Sequence, residues 1–416
     1  MLLLIVTSSA LAHVGATLEG IDVVLPGPLV EANFGLIVTD DGAPRWLCHE
    51  VLTAPKAIIA PRYTRSSAGV LLGTVPALEQ SRDPSRGVYR SADGCDWSPV
   101  EGLDGQYVTR TGFAPDDPSL ALAVSAELSA GESVISRSTD GGETFSPILT
   151  TKQRLFRSLR FSSSVPGEVW ATSVWYAGGT GYVHFSGDGG LTWTEHAAPN
   201  PNGEEAYDVD VVAVSPTDSQ TAWLVVGPYY TGDTLYRTDD GGETLTPVFE
   251  LEEGDIIDGA IEPDGGLWLV ASQRRLFYAA DGENFVQIDE PASGVGIGVG
   301  ADADGAYVLG LAQVTTILVA HTDDGGESFT NVASLLDLQP PACPAGTDVA
   351  TVCDPLWETL QGRLPTELVD TGDPVEPVDS GEPDTDDGCA CRGRSGGTGA
   401  AVVLALTGLL GWRRRR

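Results

Sequence analysis

Between Asp208 and Glu250 the apolar residues come in short runs set apart by polar turns: "DVDVVAVSP", "TDSQ", "TAWLVVG", "PYYTGD" and "TLYRT", then an Asp-Gly-Gly turn, then "LTPVFE". Runs of this length, rich in Val and aromatic residues and bounded by Pro, Gly, Asp and Ser, predict strands rather than helices. The series recurs ahead of Asp188 as "SLRFSSS", "VWATSV" and "GYVHFS", and ahead of Asp281 as "IIDGAIE", "LWLVASQ" and "LFYAA". Each time the Asp-Gly turn is expected to join a third strand to a fourth. Near the N-terminus the pattern thins. There "GIDVVLP" and "FGLIV" are expected as second and third strands, with an inner strand supplied by one of the terminal extensions.

The turns share one frame. "STDGGETF" (138–145), "SGDGGLTW" (186–193), "TDDGGETL" (238–245) and "TDDGGESF" (322–329) have Ser/Thr-x-Asp-Gly-Gly-x-Thr/Ser followed by an aromatic residue or Leu. "SADGCDW" (91–97) and "AADGENF" (279–285) are one residue shorter, and "TDDGAPRW" (39–46) is degenerate. The central residues are Asp41, Asp93, Asp140, Asp188, Asp240, Asp281 and Asp324, at intervals of 52, 47, 48, 52, 41 and 43 residues. A period of that size suits one four-stranded propeller blade. The expected fold is all-β: a seven-bladed β-propeller of four-stranded antiparallel blades, followed by a disordered acidic stalk and a short C-terminal transmembrane helix.

The physics of the frame is that of a hairpin turn. An Asp carboxylate accepts from backbone N–H groups about two residues ahead, and the following glycines take positive φ at little steric cost. The Ser/Thr hydroxyl adds a local bond, and the closing aromatic ring packs between blades. Metal or phosphate loops are a poorer explanation. An EF-hand needs a closing Glu that is missing after Asp140 and after "DADG" (302–305). A Walker loop needs Gly-Lys-Ser/Thr, and the only lysines are Lys56 and Lys152. No metal or cofactor is expected.

The frame resembles the Asp-box (BNR) repeat of sialidase-like, Vps10-like and photosystem II assembly-factor-like propellers, over roughly residues 20 to 335. The resemblance implies the fold; hydrolases, receptors and assembly factors share this scaffold. Sialidases carry an arginine triad whose first member sits in Arg-Ile-Pro, and nothing here matches it: "APRYTR" (60–65) is the nearest run. Other Asp-box hydrolases set two carboxylates across a cleft. Among 59 acidic residues the sequence singles out no such pair.

Acidic residues outnumber basic ones 59 to 23, a formal charge of −36, which repels nucleic-acid backbones. Of the basic residues 21 are Arg, an excess with no functional account at this level. Residues 1–12 form an apolar run ending in "SALA" and read as a signal peptide, although no basic residue precedes it. The propeller is assigned to 17–363 and an acidic, Pro/Gly-rich linker to 364–388. Residues 389–416 hold "CACRGR", an apolar stretch over 396–412 near the lower length for a membrane span, and four terminal arginines. This tail is similar to the myxobacterial MYXO-CTERM sorting signal. That resemblance implies export, retention at the cell surface through the membrane, and a sorting and processing machinery acting near Cys389 or Cys391.

Cys343 and Cys353 flank a short loop in an exported chain and are expected to form a disulfide. Cys48 and Cys95 remain, paired only by elimination. No Cys-x-x-Cys occurs, and the five histidines are scattered.

In a propeller the loops between second and third strands, and the links between blades, lie on the face opposite the Asp turns. This singles out Trp175 and Tyr176, Tyr229 and Tyr230, Arg274 and Arg275, and Arg157 and Arg160, the last two from a link that also supplies Lys152 and Arg154. Aromatic faces stack on sugars and arginine forks hold carboxylates. The function expected is non-catalytic recognition of a polysaccharide or a surface protein. A glycoside hydrolase of the same architecture is the alternative, and a structural or assembly factor the second.

Overall fold

Within each sheet every strand pairs with its neighbour in sequence. Gly20–Val24 (β1), Leu29–Ala32 (β2), Gly35–Val38 (β3) and Arg45–Leu47 (β4) form an antiparallel sheet in that order. Six more four-stranded sheets follow, ending with β25 to β28 (Val295–Asp302, Gly305–Gly310, Ile317–Thr322, Thr330–Ser334). The protein is a seven-bladed β-propeller. Our computed structural model describes residues 20–365, apart from 40–42, 54–59, 77–85, 128–130, 164, 176–178, 200–206, 229–231, 289–294 and 311–315.

The hydrophobic core lies between blades rather than at the axis. Trp170 and Trp268 are fully buried. Trp170 packs with Val183 of its own sheet and with Val209, Val211 and Leu224 of the next. Its indole N–H donates to the Ser219 carbonyl of that blade at 3.0 Å, and Trp223 donates likewise to Gly282 at 2.9 Å. Each indole thus buries a large apolar area while its one donor is satisfied across the seam.

The Asp-Gly turns join third to fourth strands at Asp93, Asp140, Asp188, Asp240, Asp281 and Asp324; Asp41 lies outside the described residues. At Asp140 one carboxylate oxygen accepts from Glu143 N and Thr144 N, both at 3.0 Å, and from Ser138 Oγ at 2.6 Å. The other accepts from Thr144 Oγ1 at 2.6 Å. Burial alone would raise this carboxyl, but the hydrogen bonds hold it down at about 2. Glycine is required next to it: Gly242 in the equivalent turn has φ +92°, and a Cβ there would lie 2.9 Å from Val183. The closing positions Trp46, Trp97, Phe145, Trp193, Leu245, Phe285 and Phe329 all join hydrophobic clusters.

Two expectations are corrected. The inner strand of blade 1 is not supplied by a terminal extension: "GIDVV" itself is the innermost of its four described strands, and Leu29–Ala32, missed in the sequence, is its second. The charge of Glu31 interrupts that short run, yet Glu31 is buried, held by Tyr63 N and by Arg62 at 3.1 Å. The second correction concerns the disulfides. Cys343 does not pair with Cys353; Cys48 pairs with Cys353 and Cys95 with Cys343, with Cα–Cα distances of 5.4 and 5.5 Å. The helix α1 (Asp348–Gln361) starts between the two cysteines and turns the Cys353 side chain into the blade 1 core, while Cys343 remains in the extended segment before it.

That C-terminal segment crosses from blade 7 onto blades 1 and 2. Trp46 N donates to Gln339 O at 3.1 Å and Gln339 N to Pro44 O at 2.8 Å, adding a bridge at the outer edge of β4. The first turn of α1 then docks on the blade 2 turn: Asp348 accepts from Trp97 N at 2.9 Å, Asp348 N donates to Asp96 at 3.0 Å, and Val349 N to Cys95 O at 3.0 Å.

Candidate functional site in the axial channel

The face chosen from the sequence is only partly represented. Trp175 is the last residue of its strand (Val169–Trp175), half-buried, its N–H donating to Thr180 O at 3.2 Å. Tyr176, Tyr229 and Tyr230 lie outside the described residues, as do Cys389, Cys391 and 396–412. Arg274 is exposed with φ +64°. Arg275 turns back onto its own loop, donating to Ser272 O at 3.2 Å and Glu253 O at 2.5 Å. Lys152 pairs with Glu132 at 3.3 Å, and Arg154 pairs with Glu195 while lying 3.7 Å over the Tyr182 ring.

Arg157 and Arg160 belong elsewhere. They sit on Arg154–Phe161 (β13), the innermost strand of blade 4. The other innermost strands are β1, Arg62–Arg65 (β5), Val108–Phe113 (β9), Tyr207–Val214 (β17), Ile256–Ile261 (β21) and β25. A cavity of roughly 340 Å³ is lined by β1, β5, β13, β17, β21 and β25, mainly by their C-terminal halves. In an antiparallel blade the turn after the first strand and the turn after the third lie on one side. The cavity therefore lies toward the Asp-turn side, opposite the face chosen from the sequence.

Its walls are Val23, Val212, Val214, Ile261 and Phe161, and its polar groups are Asp22, Arg160, Asp258, Thr64 and Ser163. Asp258 is heavily engaged: Gly259 N donates to one oxygen at 2.9 Å and Val299 N to the other at 3.1 Å, with Arg160 at 3.2 Å. Burial and the nearby Asp22 still push this carboxyl up to about 6, against the pull of Arg160. Arg160 also donates to Val211 O at 2.8 Å, so one guanidinium ties blade 4 to blades 5 and 6. Arg62 bridges Asp22 at 3.7 Å and Glu31 at 3.1 Å. Burial pushes Glu31 up to about 7 against that guanidinium. Sequence reasoning did not reach Asp22, Arg62 or Asp258. Their one signal was a charge within a first-strand run, and the structure brings Asp22 and Asp258 to the axial cavity while Arg154, also on a first strand, turns onto its own blade.

A second polar constellation is enclosed. Ser173 Oγ lies 2.7 Å from His184 Nε2, and His184 Nδ1 lies 3.8 Å from Glu195. The order resembles a nucleophile, a base and an orienting carboxylate. Ser173 and His184 are buried, however, and neither lines the axial cavity. Burial pushes the imidazole down to about 4. The Ser173–His184 bond is a polar pin between neighbouring strands, apart from the axial cavity.

Among the described residues no group of His, Cys, Asp or Glu is placed to hold a metal ion, and no helix is long and apolar enough to cross a membrane. No protein-family model and no curated protein matches the chain. Solved structures do resemble it. A puromycin-hydrolysing peptidase of Mycobacterium tuberculosis is 13% identical with a TM-score of 0.54, matching 80% of this chain and 54% of its own. YCF48 from Cyanidioschyzon merolae is 14% identical with a TM-score of 0.46, over 71% and 93% of the two chains. A GH74 enzyme of Niastella koreensis is 14% identical with a TM-score of 0.43, over 76% and 65%. At these identities the likeness is one of fold, and the shared architecture is the β-propeller.

Proposed function

We propose that this chain is an exported propeller held at the cell surface, where it binds a polysaccharide or a surface protein without transforming it. The Asp-box resemblance of the turns, the apolar start at 1–12 and the MYXO-CTERM-like tail at 389–416 support that reading. The observation that carries the non-catalytic part is the state of Asp258. Both of its oxygens already accept backbone N–H bonds and it faces Arg160, so it is tied into the wall. A carboxyl so engaged is poorly placed to come within hydrogen-bond reach of a substrate and hand it a proton.

The runner-up, a glycoside hydrolase, draws on one feature of the same cavity: two carboxyl groups, Asp22 and Asp258, the second raised by burial and then by the charge of the first. The purified chain is tested against bacterial and host polysaccharides, scoring both column retention and release of shortened sugars. Retention without release is expected. Release that disappears in Asp258→Asn establishes the hydrolase instead. The anchoring part is tested separately by fractionating cells that express the chain with and without residues 389–416.

A further inference from the structure

The axial cavity is built in two layers. Val24, Phe161, Val214 and Ile261 are each the last residue of an innermost strand, and Leu25 directly follows one. Together they form an apolar collar at the Asp-turn end. Asp22 and Asp258 lie two and three residues deeper on their strands and give the cavity a polar floor.

The two floor carboxyls are unequally served. Asp258 accepts backbone N–H bonds on both oxygens and faces Arg160, which also donates to Val211 O. Asp22 Oδ1 accepts from Val23 N at 2.8 Å, but among the described residues Oδ2 has only Arg62, at 3.7 Å and beyond hydrogen-bond reach. That guanidinium is bonded to Glu31 at 3.1 Å. The Asp22 side chain is 40% exposed, so a half-open carboxylate lines the cavity with bonding capacity to spare. Asp22, Glu31 and Asp258 share two guanidinia, Arg62 and Arg160; burial raises Glu31 to about 7 and Asp258 to about 6, so protons make up the balance.

The approach to the cavity selects for charge. The turns that follow the innermost strands surround its Asp-turn end. Asp116, Asp117, Asp218, Asp264 and Asp304 are exposed on them, and none of the seven turns contains Lys or Arg. Such a rim gathers cations and turns anions away. A bare metal ion finds no ligand set among the described residues and would leave the collar unused. A neutral alkyl group would fill the collar and leave Asp22 unbonded. We propose that the axial cavity binds a primary ammonium group carried on an unbranched apolar stem, the ammonium on Asp22 and the stem against the collar. A lysine side chain and a free alkylamine share this chemistry. The site does not rest on the surface-binding reading, which polysaccharide retention tests separately.

Titration calorimetry on the full purified chain near neutral pH provides the test. Methylammonium, propylammonium and pentylammonium form a stem series, and pentanol and pentanoate keep the stem while changing the charge. Affinity is expected to rise roughly threefold per methylene along the series. Pentylammonium should bind about tenfold or more tightly than either control, the margin of a charge-assisted hydrogen bond. Asp22→Asn should erase that margin while leaving pentanol binding in place, which a purely structural role would not do. Ala301→Leu, which narrows the cavity without altering a charge, should weaken pentylammonium and pentanol alike. Nα-acetyl-lysine methylamide, compared with pentylammonium, separates the two sources; either being tighter supports the site and names the source. Pentanol or pentanoate binding as tightly as pentylammonium, a flat stem series, affinity indifferent to both variants, or no heat with any probe would each overturn the proposal. The series and its controls on the parent chain are decisive even if a variant does not fold.

Discussion

The preference for arginine over lysine has a structural cause at the turns. Arg90 Nε donates to Gly141 O at 2.8 Å and Arg137 Nε to Gly189 O at 3.0 Å, each reaching the Asp-Gly turn of the following blade. Arg237 reaches Glu283 of the following turn while also holding Asp239. In all three the arginine directly precedes the turn's Ser or Thr. A planar fork can aim Nε at a carbonyl and leave its outer nitrogens for acids, which a lysine cannot. Arg137→Lys, which keeps the charge, should therefore cost about 1 kcal/mol, read as a lower urea midpoint at unchanged slope; an unchanged midpoint would remove the staple from the account. Glu31 makes a second prediction at this scale. Its carboxyl is raised to about 7 in the fold from 4.5, so the folded protein holds this proton more tightly than the unfolded chain. Its contribution is full below pH 4.5 and is lost as pH rises toward 7. Melting temperature followed from pH 4.5 to 7.5 should show a shallower decline in Glu31→Gln than in the parent, and parallel curves would show that Glu31 is ionised throughout.

At the scale of elements, what could be read from the chain depended on whether the signal was local. The third-to-fourth strand turns follow from an Asp, its glycines and a hydroxyl within eight residues, and the structure places six of them as expected. Leu29–Ala32 escaped because its buried charge is satisfied by β5, about thirty residues on, which no window along the sequence reveals. The disulfides escaped for the same reason on a larger scale, their partners being 305 and 248 residues apart. These bridges occupy a meaningful position. Among the described residues each sheet is built from one continuous stretch, with no strand exchanged between the ends to fasten blade 7 to blade 1. The segment from Gln339 through α1, bolted to Cys48 and Cys95, provides a fastening that lies across blades 1 and 2. Replacing Cys48 and Cys353 by Ser should cost about 2–5 kcal/mol, since the bridge closes a very long loop. The drop should appear in thermal unfolding and be exceeded on reducing the parent protein, which opens the Cys95–Cys343 bridge as well; a loss below about 1 kcal/mol would mean that the remaining bridge and the helix contacts fasten the ring.

For the molecule as a whole, the surplus of 36 negative charges opposes the compactness that the blade seams provide. The folded region answers part of it internally. Arginines of the innermost strands neutralise Asp22, Glu31 and Asp258, so the axis is balanced while the periphery carries excess acid. The candidate site was unreadable from sequence on this account. Arg157 and Arg160 look in sequence like members of a basic link on an outer face, yet both sit on an innermost strand, and Arg160 lines the axial cavity, where Asp258 of a blade distant in sequence supplies its counter-charge. Self-repulsion and fastening should therefore be coupled. Raising salt from about 10 to 150 mM shortens the screening length from about 30 to 8 Å, enough to mute repulsion between neighbouring blades while sparing the buried pairs. Melting temperature should rise on the order of 2–4 °C for each kcal/mol of repulsion removed, and rise further in the Cys48→Ser/Cys353→Ser variant, whose ring is free to splay. If the two proteins respond equally to salt, the clasp does not bear the repulsion; if both are destabilised, exposed ion pairs such as Lys152 with Glu132 outweigh the surplus charge.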